Sequence, residues 1–281
     1  MIKLIKFTFK MLLIALLLSG ALFSYARFIE PKMLIEKNVE ISSLHVSAEA
    51  QELKMAVFSD THFSKYYTLG DFQKVLDSIA TQQPDLILFC GDLFDDLNTY
   101  PGEISEISAA LASMDAPLGK YAIFGNHDYG GGAENKYTGI LNAGGFTVLK
   151  NEYLALEDQQ VSLIGIDDFM LGNGNIEKAT WAREDYFNIL ICHEPDIIDL
   201  VLETNIDLMV SGHTHGGQIN LLGYQENFLP AYGKNYEKGL FDFNNARGTS
   251  LYVNPGLGTT QIPLRFFARP EITYITLVHP N

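Results

Sequence analysis

Five short apolar runs, each followed at once by residues that commonly bind metal ions, constrain this chain more than any other feature. The runs cover residues 54–59, 85–90, 121–124, 187–192 and 207–211. Apolar runs of this length predict buried strands. Stretches with the apolar spacing of a helix lie between several of these runs, which favours an α/β sheet. In such a sheet, ligand sites lie at the carboxyl ends of the strands. The sequence therefore predicts that the polar residues after the five runs gather at one edge of a sheet.

The residues after these runs carry side chains that divalent transition metals prefer. They stand in SDTH, CGDLFD, FGNHD, ICHEP and SGHTHGG, and the candidate ligands are Asp60, His62, Asp92, Asn126, His193, His213 and His215. Alternate residues of an extended chain point the same way, so Asp60 and His62 can reach one ion. Carboxylate and amide oxygens mixed with imidazole fit Mn, Fe or Zn. We therefore predict two divalent transition-metal ions and the hydrolysis of a phosphate ester by in-line displacement.

The rest of the chain alternates between predicted strands and helices. Helices are expected at residues 72–82, 104–114, 136–142 and 195–202, the last opened by Pro195. Strands are expected at residues 39–46, 146–149, 152–156, 161–166, 250–253 and 272–278, with 146–166 as a meander that starts a second sheet. Residues 221–248 lack clear periodicity and are predicted to form a long loop over the site. The predicted fold is a two-sheet α/β sandwich with helices outside both sheets.

Composition excludes several classes of protein. The 281 residues are 47% apolar, which supports a substantial core and argues against disorder. The net charge of −15 gives a nucleic-acid partner no electrostatic support. It leaves room for a small phosphorylated substrate, because bound divalent ions would dominate the local field. The two cysteines, Cys90 and Cys192, are interpreted as small buried residues at strand ends rather than as a disulfide or as metal ligands.

The N-terminus forms a region of its own. Three lysines precede an apolar stretch at residues 11–23, and the triplet SYA follows it. This layout is typical of a signal peptide or an uncleaved signal anchor, and extension to residues 7–28 gives about 20 residues, enough to cross a membrane. We expect a signal anchor or transmembrane segment at residues 1–28, a tether with the first strand at 29–50, and one catalytic domain at 51–281.

The orientation of this segment follows less directly from the charges. The lysines before the apolar stretch favour a cytoplasmic N-terminus, although Arg27, Lys32 and Lys37 partly balance them on the other side. The expected location is therefore the cell membrane, with a single-pass or signal-anchored chain and an extracytoplasmic catalytic domain.

The ordered motifs SDTH, GDLFD, GNHD, CHEP and GHTHGGQ resemble those of the calcineurin-like metallophosphoesterase superfamily, from residue 54 to the C-terminus. The resemblance implies a four-layer sandwich of two mixed β-sheets flanked by helices. It implies that one metal is held by Asp60, His62, Asp92 and His215, and the other by Asp92, Asn126, His193 and His213. His127 would contact phosphate and protonate the leaving oxygen. Asp95 would orient that histidine, with Asp128 as a second candidate.

Two C-terminal segments narrow the resemblance. GGQINL at residues 216–221 and the stretch at 254–277 resemble the membrane-associated YkuE/YaeI-type branch. That branch usually has a basic residue where Pro255 stands, which puts a substrate contact from this position in doubt. Arg265 and Arg269 are candidates to meet a phosphate or sugar, or they pair only with surface acids. The resemblance implies a phosphodiester or pyrophosphate of a lipid-linked molecule, similar to UDP-diacylglucosamine.

Alternative functions use the same residues. A phosphomonoesterase, including a phosphoprotein or nucleotide phosphatase, would need the same metal site. A non-catalytic scaffold is less well supported, since all seven candidate ligands and His127 are present. The expected partners are a phosphorylated, lipid-linked small molecule and the membrane, with no nucleic acid and a monomeric chain.

Overall fold

The computed structural model describes residues 1–48, 52–220 and 229–280. The helix Leu69–Gln82 starts after the N-cap residue Thr68, which exchanges hydrogen bonds with Asp71 in a capping box. The α-helices are α1 (Ile2–Ser24), α2 (Leu69–Gln82), α3 (Ile104–Ala112), α4 (Asn126–Gly130) and α5 (Tyr137–Ala143). These bounds agree within a few residues with the helices predicted at 72–82, 104–114 and 136–142.

In the described part of the chain, twelve strands form two mixed six-stranded sheets. The first sheet has the order β1-β12-β2-β3-β4-β5 and the second β10-β11-β9-β8-β7-β6. The strands are β1 (Ile35–Ser42), β2 (Leu53–Phe58), β3 (Leu86–Phe89), β4 (Lys120–Ala122), β5 (Thr147–Val148), β6 (Glu152–Leu156), β7 (Val161–Gly165), β8 (Phe187–Ile191), β9 (Leu208–Ser211), β10 (Gly239–Asp242), β11 (Ser250–Val253) and β12 (Glu271–Val278).

Three apolar clusters hold the layers together. The cluster between the sheets includes Val57, Leu88 and Ile189, all fully buried. A second cluster packs α2, α3 and α5 on the outer face of the first sheet, and a third packs 3₁₀ helices on the outer face of the second. Both faces of each central strand are therefore covered, which explains why these strands are continuously apolar rather than alternating. The predicted four-layer sandwich is confirmed.

Several predicted elements differ from the structure. The strand expected at 146–149 is β5, which pairs with β4 in the first sheet, so only β6 and β7 begin the second sheet. The helix expected at 195–202 is a 3₁₀ helix, Pro195–Leu200. The loop expected at 221–248 contains β10, and residues 221–228 lie outside the described part of the chain. Pairing with another strand, β4 for β5 and β11 for β10, places two of these elements.

The N-terminal helix α1 buries none of its residues, and among the described helices it is the one long and apolar enough to cross a membrane. The chain continues through a π-helical turn, Tyr25–Ile29, and a 3₁₀ turn, Glu30–Lys32. The first strand, predicted at 39–46, is β1, and it starts earlier because residues from Ile35 onward pair in parallel with β12. The expected boundary at residues 50 and 51 lies outside the described residues.

Candidate metal centre

The carboxyl ends of five strands deliver the predicted ligands to one place between the sheets. Strands β2, β3 and β4 of the first sheet precede the carboxylates and the amide, and β8 and β9 of the second sheet precede histidines. Three groups of side chains that could hold an ion converge there. They are Asp60 with His62 and His215, Asp60 with Asp92 and His193, and His62 with Asp95 and His127.

In the first two groups, imidazole nitrogens lie close to the carboxylates of Asp60 and Asp92. His62 Nε2 lies 3.4 Å from Asp92 Oδ2 and 3.8 Å from Asp60 Oδ1. His215 Nε2 lies 3.5 Å from Asp60 Oδ1 and 3.1 Å from His62 Nε2. At most one proton fits between two imidazole nitrogens at that distance. A cation that both nitrogens coordinate satisfies them together with the carboxylates.

Two other predicted ligands, His193 of the second group and the nearby Asn126, have buried polar atoms without hydrogen-bond partners among the described residues. His193 Nε2 lies 3.3 Å from Asp92 Oδ2, and neither His193 Nε2 nor Asn126 Oδ1 has a hydrogen-bond partner among the described residues. The carbonyl of Cys90 accepts from His193 Nδ1 at 2.6 Å, which leaves the Nε2 lone pair free to bind an ion. Ala231 O likewise accepts from His213 Nε2 at 2.9 Å, which leaves Nδ1 as its free ring nitrogen. These donor atoms fit a divalent cation.

The electrostatics also favour a cation. Burial disfavours the ionised form of Asp60, but the facing imidazoles of His215 and His62 outweigh it and hold the pKa of this carboxyl below its ordinary range. Burial alone would lower the pKa of His62, and the surrounding carboxylates, Asp60 first, raise it to about 9. Burial lowers the pKa of His213 to about 4 and that of His215 well below its ordinary value. The ionised carboxylates and the neutral imidazoles of His213 and His215 are in the states that bind metal ions, and the carboxylates that raise the pKa of His62 and His193 would attract a cation in place of those protons.

The backbone at the centre is unusual. Five of the seven predicted ligands have positive φ, which non-glycine residues rarely adopt: Asp60 (50°), His62 (43°), Asp92 (61°), His213 (72°) and His215 (54°). Two glycines make room for the carboxylates, since a Cβ on Gly125 would lie 2.3 Å from Asp92 Oδ1 and one on Gly212 would lie 2.4 Å from Asp60 Oδ2. Backbone strain of this kind is concentrated at functional sites.

His127 lies beside the two ligand groups, half-buried at the start of α4. Its Nδ1 lies 2.9 Å from the backbone carbonyl of Asp95 and 3.8 Å from the carboxylate of that residue. The main chain of Asp95 makes the hydrogen bond to this ring nitrogen, and the orientation of His127 by the Asp95 carboxylate stays a prediction. The carboxylate lies closer to His62 Nδ1, at 3.5 Å.

Thr260 is a site residue that the sequence interpretation missed. Its hydroxyl donates to Asp95 Oδ1 at 3.1 Å and lies 3.3 Å from His127 Nε2. A doubly protonated His127 can donate to the Thr260 oxygen while the Thr260 hydrogen goes to Asp95. The two threonines in GLGTTQ gave no indication of this role. Thr260 stands 165 positions after Asp95 and 133 positions after His127 in the sequence, so no local pattern links them.

Asp128 has a structural position. Its buried carboxylate accepts from the backbone N–H groups of Asp92, Leu93 and Gly125, at 2.8, 2.9 and 2.9 Å. These bonds tie the loop after β3 to the loop after β4. The carboxylate thus shapes the two loops that carry Asp92 and Asn126, which corrects the expectation that it orients the His127 ring.

The two predicted substrate-binding arginines lie elsewhere than expected. Arg265 is fully buried, and its guanidinium donates to the carbonyls of Gly258, Ala268 and Pro255 and lies 3.5 Å from His215 Nδ1. This burial corrects the expectation of direct substrate contact. Its charge helps to keep His215 neutral. Arg269 is exposed and lines a different cavity, next to the N-terminal segment.

A cavity of about 320 Å³ opens from the centre. The polar part of its lining includes Asp92, Asn126 and His127. The apolar part of its lining is formed by Met170, Ile219, Leu229, Pro230 and Ile262. No lysine or arginine stands among the described lining residues. The described lining thus offers a phosphate group no permanently positive side chain, which leaves bound cations as a source of positive charge.

Comparison with known proteins decides the family. Residues 53–217 match the family model described as calcineurin-like phosphoesterase. The chain is 41% identical over 269 residues to the metallophosphoesterase YkuE of Bacillus subtilis, covering 94% of this chain and 93% of that one. It belongs to the calcineurin-like phosphoesterase family.

Two further relatives bear on the expectations. The phosphodiesterase YaeI of Escherichia coli is 32% identical over 234 residues, covering 82% of this chain and 83% of YaeI. A transmembrane protein with metallophosphoesterase domain from Danio rerio is 27% identical over 290 residues, covering 96% of this chain and 63% of its own. The family member described here is a phosphoester hydrolase of a class that uses divalent metal ions, and its apolar helix indicates membrane association.

Proposed function

We propose that the protein hydrolyses a phosphodiester or pyrophosphate through a binuclear metal centre. The observation that carries this proposal is the convergence of two carboxylates and three imidazoles, those of Asp60, Asp92, His62, His193 and His215. The Nε2 atoms of His62 and His215 face each other, and His193 Nε2 has no hydrogen-bond partner among the described residues. In this proposal one ion is held by Asp60, His62, Asp92 and His215, and the other by Asp92, Asn126, His193 and His213. Asp92 belongs to both sets because its carboxylate lies within 3.4 Å of His62 and 3.3 Å of His193.

The residues divide the chemistry between them. When bound, two such ions supply a nucleophile from water at neutral pH and neutralise charge on the phosphoryl oxygens. His127 lines the cavity at its polar wall, where it can give a proton to the leaving oxygen. The Asp95 carbonyl fixes the tautomer of His127, and Thr260 holds the opposite ring nitrogen.

The cavity supports a diester with an apolar part. Met170, Leu229 and Ile262 line the same cavity as the candidate metal ligands, which suits a substrate that is partly charged and partly apolar. The likeness to a protein named phosphodiesterase YaeI points the same way. We propose a lipid-linked substrate similar to UDP-diacylglucosamine.

The segment at residues 1–28 serves in this proposal as a retained anchor, and residues 51–281 as the catalytic domain outside the cytoplasmic membrane. Retention is supported by Ala26, which is buried and whose carbonyl accepts from the N–H of Arg265 at 2.9 Å. Cleavage at this point would remove a contact that the catalytic domain uses.

The test uses full-length protein in detergent with Mn²⁺, Fe²⁺ or Zn²⁺ added in turn. We expect hydrolysis of bis(p-nitrophenyl) phosphate to exceed that of p-nitrophenyl phosphate, and Asp92→Asn to remove it. Asp96→Asn is the matched control, since Asp96 lies on the same loop and only caps a 3₁₀ turn. Protein that turns over neither substrate with any of the ions contradicts the proposal, and preference for the monoester favours a phosphomonoesterase or phosphoprotein phosphatase instead.

A further inference from the structure

Phe267 is an exposed aromatic residue that the fold holds in a strained conformation. Its side chain is 67% exposed and its backbone has φ of 55°. A bulky residue with positive φ is a genuine outlier, and such strain persists only where surrounding contacts enforce it. The fold therefore holds this phenylalanine at the surface in one fixed conformation.

The contacts that enforce this conformation come from both sides of Phe267. Ala268 N donates to the buried carboxylate of Glu30 at 2.7 Å, and Arg265 donates to Ala268 O at 2.8 Å. The carbonyl of Phe267 itself accepts from Lys238 at 3.3 Å. Glu30 belongs to the segment directly after the apolar helix, so the membrane-proximal chain fixes how Phe267 is presented.

Phe267 lies at the level where the apolar helix ends. Tyr25 follows the last residue of α1, and its ring packs edge-on against Phe266, whose ring in turn contacts Phe267. Tyr25, Phe267 and Arg269 line one cavity. Phe28 and Ile29 are also exposed on the turn beyond the helix. Aromatic residues at this level are typical of the membrane–water interface, where an apolar ring and a polar neighbourhood are both satisfied.

We propose that Phe28, Ile29 and Phe267 form a bilayer-docking face that lies in the membrane interface, with Lys238 and Arg269 directed to lipid phosphates. The occupant is an anionic bilayer surface, because the face is continuous with the apolar helix and the two flanking side chains are basic. The docking face deepens the proposed function. The uptake of a lipid-linked substrate at this face rests on that function, whereas the docking itself does not.

The docking face connects to the catalytic cavity through a short segment. Thr260 and Ile262 line the catalytic cavity, and Phe267 follows a few residues later on the docking face. Gln218 fixes the near end of this segment by donating to the carbonyls of Thr260 and Ile262, at 3.1 and 2.8 Å. Docking therefore places the apolar side of the catalytic cavity close to the lipid surface, where a lipid-linked phosphate would be taken up.

Fluorescence quenching by brominated lipids tests the docking face directly. The single tryptophan, Trp181, lies in the 3₁₀ helix Ile176–Trp181, which packs on the second sheet, so Trp181→Phe gives a dark background. In that background Phe267→Trp and Leu200→Trp report two sites of similar exposure, 67% and 62%. The protein is placed in nanodiscs of phosphatidylethanolamine and phosphatidylglycerol with bromine near the glycerol end of the acyl chains. We expect at least about twofold stronger quenching at position 267 than at position 200.

A second measurement links docking to substrate. Phe267→Ser should leave hydrolysis of soluble bis(p-nitrophenyl) phosphate unchanged and lower hydrolysis of a head-group diester embedded in the same nanodiscs about fivefold or more. Equal quenching at positions 267 and 200 overturns the docking face, whether or not the soluble diester is hydrolysed. Hydrolysis of neither substrate by the unaltered chain contradicts the proposed function, and the quenching result still decides the docking face.

Discussion

The two sheets contribute different chemistry to the metal centre. The first sheet supplies the two carboxylates, the amide and one imidazole, in Asp60, Asp92, Asn126 and His62, whereas the second supplies imidazoles alone. The closest ligand pairs, such as His193 with Asp92, join one sheet to the other. Carboxylates from one layer therefore meet imidazole nitrogens from the other. The centre is complete only when the apolar cluster between the sheets has formed.

Removal of the ions is the largest perturbation of this arrangement. Incubation with a chelator should abolish hydrolysis and lower the melting temperature by several degrees, because the loss of tightly bound ligand removes a few kcal/mol of stability. Calorimetry before and after chelation measures the shift, and added Mn²⁺ or Zn²⁺ should reverse it. Full activity in protein shown by elemental analysis to lack metal would refute a role for the ions.

Loss of one histidine from either sheet should be about equally damaging. We expect His62→Ala and His193→Ala each to lower kcat/KM by about 10³-fold, because each removes a nitrogen from a site that must hold its ions in fixed geometry. Metal content and turnover are measured for both variants. His45→Ala is the control, since His45 pairs with Asp207 away from the centre. A large effect for one sheet and a negligible effect for the other would mean that a single sheet holds the functional ion.

His127→Ala should have a smaller effect of a different kind. We expect kcat to fall about 10²-fold with metal content unchanged, because a proton donor is lost and no ligand is removed. The loss should be larger for a diester with an alkyl leaving group than for one with p-nitrophenol, which leaves without a proton. Equal losses for both leaving groups would argue against a proton donor at this position.

The smallest expected effect tests the contact that links Thr260 to His127. Thr260→Val removes the hydroxyl that joins the imidazole to Asp95, and we expect a loss of about tenfold or less in kcat, the value of one hydrogen bond of about 1 kcal/mol. The change should also alter the alkaline limb of the pH–rate profile, because a proton donor must keep its proton as the pH rises. Thr259→Val, at the neighbouring position outside the cavity, is the matched control, and an identical profile for both variants would remove Thr260 from the mechanism.

Much of the fold followed from local pattern. Each apolar run before a candidate ligand proved to be a strand, since side-chain periodicity is set by residues near one another in sequence. The assignment of β5 to the first sheet did not follow, because periodicity does not show which neighbour a strand pairs with. The 3₁₀ form of residues 195–200 likewise depends on packing against the second sheet.

The sequence by itself determined the family, the α/β architecture and the set of side chains that meet at the strand ends, because order, residue type and local period are properties of the chain alone. Only the tertiary structure decided which atoms those side chains use. The Asp95 carbonyl rather than its carboxylate bonds to His127, Arg265 is buried behind His215, and Glu30 fixes Ala268 from 238 positions away. Such contacts join segments distant in sequence, and no local pattern encodes them.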